Sequence, residues 1–175
     1  MPIRFGTSGW RAIIADEFTY RNVRRVTEAI CSYLKEGSQN DRKTLIVGYD
    51  SRFMGEKFSE VAADIASRRG HRVLLCNHPT PTPTIAHAIR YENALGAINF
   101  TASHNPPEYQ GIKFSTADGA PALPEITKRI EDLFELNLDG DDVSGGTVEE
   151  FDARPAYLAD LETKIRFDAI AAAKG

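Results

Sequence analysis

The chain reads as a three-layer α/β/α domain with a mixed, mostly parallel central sheet. Three observations carry that reading. Short apolar runs of strand type alternate with longer segments of helical periodicity. The connections between them are brief, as in sheets whose strands are joined by crossover helices. The run Leu45-Ile46-Val47-Gly48-Tyr49 is apolar without alternation, as expected of a strand covered on both faces.

The first helix spans 19–36. Val23, Val26, Ile30, Cys31 and Leu34 recur at helical spacing, Thr19 can cap the start and Gly37 ends it. A polar loop over 37–43 leads into the strand 45–49. The loop Asp50-Ser51-Arg52 precedes a second helix over 56–69, which faces inward through Phe58, Val61, Ala62 and Ile65 and is closed by Gly70. His71 to Cys76 is the next strand. Pro79-Thr80-Pro81-Thr82-Pro83 is a rigid turn whose last proline suits the first position of a helix running to Glu92, with Thr82 as its cap. Leu95 to Phe100 forms a third strand, 101–110 a loop, and Gly111 to Ser115 alternates like a fourth strand. Pro124 opens a helix through Ile126, Ile130, Leu133 and Phe134.

Residues 1–136 thus form one domain. Residues 137–150, which include Asp139-Gly140-Asp141-Asp142 and Ser144-Gly145-Gly146, read as a polar linker, with the acidic stretch a solvated turn. Residues 151–175 read as the first helix of a truncated second domain, with Tyr157, Leu158, Leu161 and Ile165 on an apolar face left without a partner.

Composition narrows the function classes. The 175 residues are 42% apolar and 26% charged, which excludes a disordered tail, a collagen-like fibre and a disulfide-stapled miniprotein. No apolar run reaches the ~18 residues of a membrane span. Met1-Pro2-Ile3-Arg4-Phe5 lacks the apolar stretch of a signal peptide, so a cytoplasmic protein without membrane contact is expected. A net charge of −4 gives no reason to expect nucleic acid as a partner. Cys31 and Cys76 each sit in an apolar segment, outside any Cys-x-x-Cys pair, and read as reduced buried thiols rather than zinc ligands.

The segment with most chemistry is Thr101-Ala102-Ser103-His104-Asn105-Pro106-Pro107, directly after a buried strand. Ligands of open α/β sheets collect outside the carboxyl ends of strands. Two prolines stiffen the loop, and a hydroxyl, an imidazole and an amide stand in consecutive positions. A polar turn with capping Ser and Asn is an equal reading of this spacing alone. A Ser-His-Asp hydrolase fits poorly, because His104 adjoins Ser103 and a triad draws its base from elsewhere in the chain. Gly-x-Ser-x-Gly, Gly-x-Gly-x-x-Gly and Walker-type loops do not occur. Gly6-Thr7-Ser8-Gly9-Trp10-Arg11 is a hydroxyl-rich turn ending in a guanidinium suited to grip a phosphate. Lys113, on the next strand, can reach back toward the same pocket.

Phe5-Gly6-Thr7-Ser8-Gly9-Trp10-Arg11, Gly48-Tyr49-Asp50-Ser51-Arg52, Thr101-Ala102-Ser103-His104-Asn105-Pro106 and Gly111-Ile112-Lys113-Phe114 together resemble the α-D-phosphohexomutase family, in its order and spacing. The family includes phosphoglucomutases, phosphomannomutases and phosphoglucosamine mutases. The resemblance covers 1–135, where it implies domain I, and 151–175 resemble the opening of the second domain. It implies that Ser103 is a phosphoserine. That group would donate its phosphoryl to a hexose phosphate and recover the other one from a hexose 1,6-bisphosphate intermediate. Arg11 and Lys113 would neutralise charge, Lys113 assisting proton transfer, and His104 would be an acid/base candidate. Ser8 and Asn105 would bind phosphate or set the loop, while Asp50 and Arg52 would pair and support the site from behind. A phosphoserine oxygen would ligate Mg²⁺, whose other ligands in this family come from an Asp-Gly-Asp-Gly-Asp-Arg loop absent here. Ala12 stands where many relatives have glycine.

The implied partners are a hexose phosphate and the remaining domains of the same chain, glucose being favoured and mannose next on the form of the first loop. The chain by itself is expected to be inactive or nearly so. A non-catalytic phosphosugar-binding module and a serine-dependent phosphatase are the competing readings.

Overall fold

A computed structural model describes residues 3–6, 9–37, 43–136 and 142–173. Six strands form one sheet: β1 (Trp10–Ile13), β2 (Thr44–Tyr49), β3 (Arg72–Cys76), β4 (Gly96–Phe100), β5 (Tyr109–Thr116) and β6 (Thr147–Phe151). Their spatial order is β1-β5-β4-β2-β3-β6. The pairs β4/β2, β2/β3 and β3/β6 are parallel, and β1/β5 and β5/β4 antiparallel, so β5 alone runs against the rest. The mixed, mostly parallel sheet expected from the sequence is present.

Helices cover both faces. On one side lie α1 (Tyr20–Gly37), α2 (Gly55–Arg68) and α4 (Pro124–Glu135). They close a large core with the sheet through Val26, Ile30, Phe58, Ala62, Ile130 and Leu133. On the other, α3 (Thr82–Tyr91) packs Ile85, Ala88 and Ile89 against Ile46, Leu74 and Ala97. β2 and β4 are buried almost throughout, which explains their unbroken apolar character. An aromatic column supports the sheet's carboxyl end. Trp10 stacks on Phe18 at 4.7 Å, Phe18 meets the edge of Phe58 at 4.9 Å, and Phe58 lies over Phe100 at 6.4 Å. Cys31 and Cys76 are free and buried, and burial pushes their thiols up to about 12 and about 11.

Several boundaries differ from the sequence reading for local reasons. Thr19 accepts the Asn22 N–H through Oγ1 at 3.3 Å, as a cap should. Thr82 does not cap α3. It lies inside the helix, Pro81 precedes it as the N-cap, and the Thr82 hydroxyl accepts the Asn99 amide at 3.1 Å instead. Trp10 and Arg11, expected in the turn 6–11, pair with Ile112 and Gly111 and become β1.

The stretch 137–150 is not simply a linker. Residues 137–141 lie outside the described residues, but those after them dock. The Arg69 guanidinium bridges Glu28 at 2.5 Å and Asp142 at 2.8 Å, and the Val143 N–H donates to the Arg68 carbonyl at 2.7 Å. Thr147–Phe151 then pairs along the whole of β3, so a stretch rich in Gly and Asp leads into a sheet strand. Beyond it stand two helices, α5 (Arg154–Lys164) and α6 (Phe167–Ala172), rather than one. α5 rests on α3, where Tyr157 meets the His87 ring edge-on at 5.6 Å, yet none of its residues is buried. Leu158, Phe167 and Ile170 are exposed.

If 147–151 were a tether, cutting the chain after Leu136 would leave stability unchanged. Because β6 completes the sheet, the cut bares the β3 edge and removes a ladder of hydrogen bonds worth about 1 kcal/mol each. The shortened chain is expected to unfold at lower temperature and to self-associate with rising concentration. Calorimetry and light scattering check both.

Candidate active site

The connectivity creates a crevice. From β2 the chain passes through α2, on one face of the sheet, to β3. From β3 it returns through α3, on the opposite face, to β4 on the other side of β2. The carboxyl ends of β2 and β4 therefore diverge at a topological switch point, the place where open α/β sheets receive ligands. The loops leaving them meet there: Asp50, Arg52, Phe53, Ser103, Asn105 and Pro107 line one open cleft.

Arg52 joins the two loops. Its Nη1 donates to the carbonyls of Pro106 at 2.9 Å and Tyr109 at 3.1 Å, and its Nη2 to those of Ser103 at 3.0 Å and Asn105 at 2.6 Å. Its Nε stands 3.5 Å from Asp50 Oδ2. The other Asp50 oxygen accepts the Arg52 N–H at 3.0 Å, which folds 50–52 into a tight turn. The pairing of Asp50 with Arg52 expected from the sequence is present.

Ser103 is exposed and has a φ of +59°, in the left-handed region. A side chain other than glycine is disfavoured there by about 1–2 kcal/mol. Its N–H donates to Thr101 Oγ1 at 3.0 Å, and the Asn105 N–H closes a turn on the Ala102 carbonyl at 3.1 Å. Asn105 thus sets the loop through its main chain. The left-handed bend also brings Ser103 Oγ to 3.4 Å from His104 Nδ1, the long end of hydrogen-bond range. Adjacency alone argues against such an approach; the positive φ permits it.

Lys113 and Arg11 come from neighbouring strands. Lys113 pairs with Asn99 and Arg11 with Gly111, while Trp10, Ala12, Ile112 and Phe114 point into the main core. Alternation therefore puts Arg11, Gly111 and Lys113 together on the opposite sheet face. Burial pushes the Lys113 ammonium below its usual range and the Arg11 charge pushes it further, while Asp50 opposes both. Two glycines make this crowding possible. A Cβ on Gly111 would stand 2.6 Å from the Thr101 carbonyl oxygen and 3.0 Å from Arg11 Cγ. One on Gly9, at φ +132°, would stand 2.4 Å from the Ile112 oxygen and 3.0 Å from Lys113 Cγ. Ser8 lies outside the described residues.

Two supporting residues escaped the sequence reading. Thr101 receives the Ser103 N–H. Gln110 is fully buried, donating to the Phe53 carbonyl at 3.3 Å and accepting the Gly111 N–H at 3.0 Å. An amide at an inward position of an alternating strand is the signal for Gln110, visible once β5 is begun at Tyr109. As for a metal, a phosphorylated Ser103 would offer one hard oxygen ligand. The described residues hold no group of three His, Cys, Asp or Glu side chains able to cage an ion. By themselves these residues make no complete magnesium site.

A serine held out of regular backbone geometry at the switch point of a doubly covered sheet, with two cations on the adjacent strands, defines a class of α/β domain suited to handling phosphate esters. The chain belongs to the phosphoglucomutase/phosphomannomutase family: its α/β/α domain I model matches residues 2–139. A phosphoglucosamine mutase of Clostridium tetani is 35% identical over 141 residues, covering 80% of this chain and 31% of that protein. A phosphoglucomutase of Staphylococcus haemolyticus is 31% identical over 147 residues, covering 78% of this chain and 26% of that protein. A crystal structure described as a putative phosphomannomutase from Thermus thermophilus superposes with a TM-score of 0.88 at 36% identity, over 100% of this chain and 39% of that one. The chain thus spans about a third of the length of the relatives it matches.

Replacing Arg11 by Gln removes a positive neighbour from Lys113, so the lysine's charged form becomes easier to keep and its pKa rises toward the ordinary value. Carbon-13 NMR titration of the lysine ε-carbon reads this directly. An unchanged midpoint would place Arg11 out of electrostatic reach.

Proposed function

We propose that this chain is the phosphoserine domain of a phosphohexomutase interconverting hexose 1-phosphate and hexose 6-phosphate, glucose first and mannose next. The observation that carries the reading is the exposed, left-handed Ser103 at the switch point, with Lys113 and Arg11 on the strands beside it. Phosphoryl transfer asks a protein for in-line positioning and charge neutralisation more than for covalent chemistry. A phosphoserine carries about −1.5 to −2 charge near neutral pH, and two cations on one sheet face match it.

In the forward step a sugar hydroxyl oxygen attacks the phosphorus. The bond from phosphorus to Ser103 Oγ breaks, and the hydroxyl proton must leave. Lys113, its ammonium destabilised by burial and by Arg11, is suited in its neutral form to take that proton, and Ser103 Oγ, leaving as an alkoxide, gains one in its place, with His104, 3.4 Å away, the candidate to deliver it. The hexose 1,6-bisphosphate so formed turns and returns its other phosphoryl group to Ser103. Mg²⁺ bound to a phosphoserine oxygen would add charge stabilisation. Its other ligands, and the groups that discriminate among sugars, would come from further domains of the same chain, with the reaction in the cytoplasm.

The test is phosphoryl uptake from radiolabelled glucose 1,6-bisphosphate with magnesium. The label is expected on Ser103 and absent in Ser103→Ala, and labelling of the alanine variant would sink the reading. Steady release of free phosphate without a labelled serine would favour a phosphatase. The 175-residue chain assayed alone should convert glucose 1-phosphate to glucose 6-phosphate far more slowly than ordinary enzymes do. A rate of the usual order, roughly 1–1000 s⁻¹, would overturn that expectation.

A further inference from the structure

We propose that Arg52 is a positioning residue for the chemistry at Ser103: it touches no reacting atom, and it holds the serine in the backbone conformation from which its hydroxyl is presented. The proposal rests on the phosphoserine reading above and deepens it.

Ser103 cannot keep its conformation unaided. Its φ of +59° lies where L-residues other than glycine are disfavoured, and Pro106 and Pro107 have no N–H with which to anchor the loop. Inside the loop, only the Ser103 N–H to Thr101, the Asn105 N–H to Ala102 and the Tyr109 N–H to Pro106 are described. The ends of the loop are tied at Thr101, whose N–H donates to the Gly111 carbonyl, and at Glu108, whose carbonyl accepts the Ile14 N–H, but the bond on the Ser103 carbonyl itself comes from one guanidinium. Its two terminal nitrogens take four carbonyls spread from Ser103 to Tyr109. One of them is the carbonyl of Ser103 itself, so rotating that residue out of the left-handed region breaks a charge-assisted hydrogen bond. Because the peptide is trans, fixing this carbonyl on Arg52 also turns the His104 N–H away from Arg52.

The clamp is itself fixed. Arg52 is 16% exposed, and Asp50 holds it by both side chain and main chain. Asp50 is attached by its N–H to the Phe100 carbonyl at 2.9 Å, at the end of the strand that carries the serine loop. The fork geometry matters as much as the charge, since a lysine offers three donors from one point and cannot serve four carbonyls and a carboxylate.

The experiment compares the protein carrying its further domains with its Arg52→Ala and Arg52→Lys variants for phosphoryl uptake from radiolabelled glucose 1,6-bisphosphate, over a range of donor concentrations, with thermal unfolding alongside. Misplacing a reacting group by about 1 Å can cost about a hundredfold in rate. Arg52→Ala is expected to lose about that much in the saturating rate while its half-saturating donor concentration moves less than about threefold. Added guanidinium ion should restore part of the rate to Arg52→Ala and none to the parent, an effect that general destabilisation would not produce. Arg52→Lys should fall between, and it carries the test if the alanine variant does not fold. A folded variant labelled within about threefold of the parent rate overturns the proposal. So does a loss confined to donor half-saturation, which would make Arg52 a ligand-binding group. A parent that takes up no label instead brings down the phosphoserine reading, and this proposal with it.

Discussion

Strand β4 is buried along its length and has neighbours of opposite sense, β2 parallel and β5 antiparallel. The arrangement at the site follows from that. A parallel neighbour requires a crossover helix, so β2 and β4 reach the same end of the sheet by separate routes and their loops meet there. An antiparallel neighbour needs only a return loop, so the chain after Phe100 turns back within residues 101–108. That loop is closed where the Thr101 N–H meets the Gly111 carbonyl at 3.0 Å. The serine stands on a short bridge between two rigid strands, over an aromatic column. Small shifts of the bridge are resisted from below by close packing and from the side by Arg52.

Charge is arranged around the same bridge. The whole chain is net acidic, at −4, yet its site gathers Arg11, Arg52 and Lys113, with Asp50 facing Arg52. Asp50 faces Arg52 closely and influences Lys113 from further off. Arg11 and Lys113 share one sheet face, and the Arg52 guanidinium beneath the loop is paired with Asp50. Local concentration of one sign in a cleft with low-dielectric walls draws an anionic ligand more strongly than net charge would indicate. Elsewhere, ion pairs such as Arg72 with Glu149 are half exposed and stabilise little.

Much of the fold was legible because its signals are local. Buried strands without alternation, helices with inward stripes and proline-led helix starts gave four strands and four helices close to their observed bounds. β1 and β6 were not legible. Trp10–Ile13 is four residues long, and its strand character comes from pairing with β5 rather than from its own pattern. Thr147–Phe151 is mostly exposed at a sheet edge and carries Glu149 and Glu150, so it reads as polar chain until β3 supplies a partner. At the site, the residue types were legible through the family resemblance, and the pairing of Asp50 with Arg52 was anticipated. The reach of Arg52 to four carbonyls was not, because main-chain acceptors have no sequence signature. Nor was the left-handed serine, since nothing in Ala102-Ser103-His104 demands it.

The placement of β6 has a mechanical consequence for whatever follows it. Because it runs parallel to β3, the chain leaves the sheet at the end where β2 and β4 also terminate, on the rim that carries the serine loop. The pivot for later residues is then Phe151, and not the glycine-rich stretch before Thr147. Its anchor is the parallel pairing of Thr147–Phe151 along β3. α5 is held on α3 through Tyr157 against His87, so residues 154–164 sit on the sheet face that α3 covers rather than hanging from a free tether.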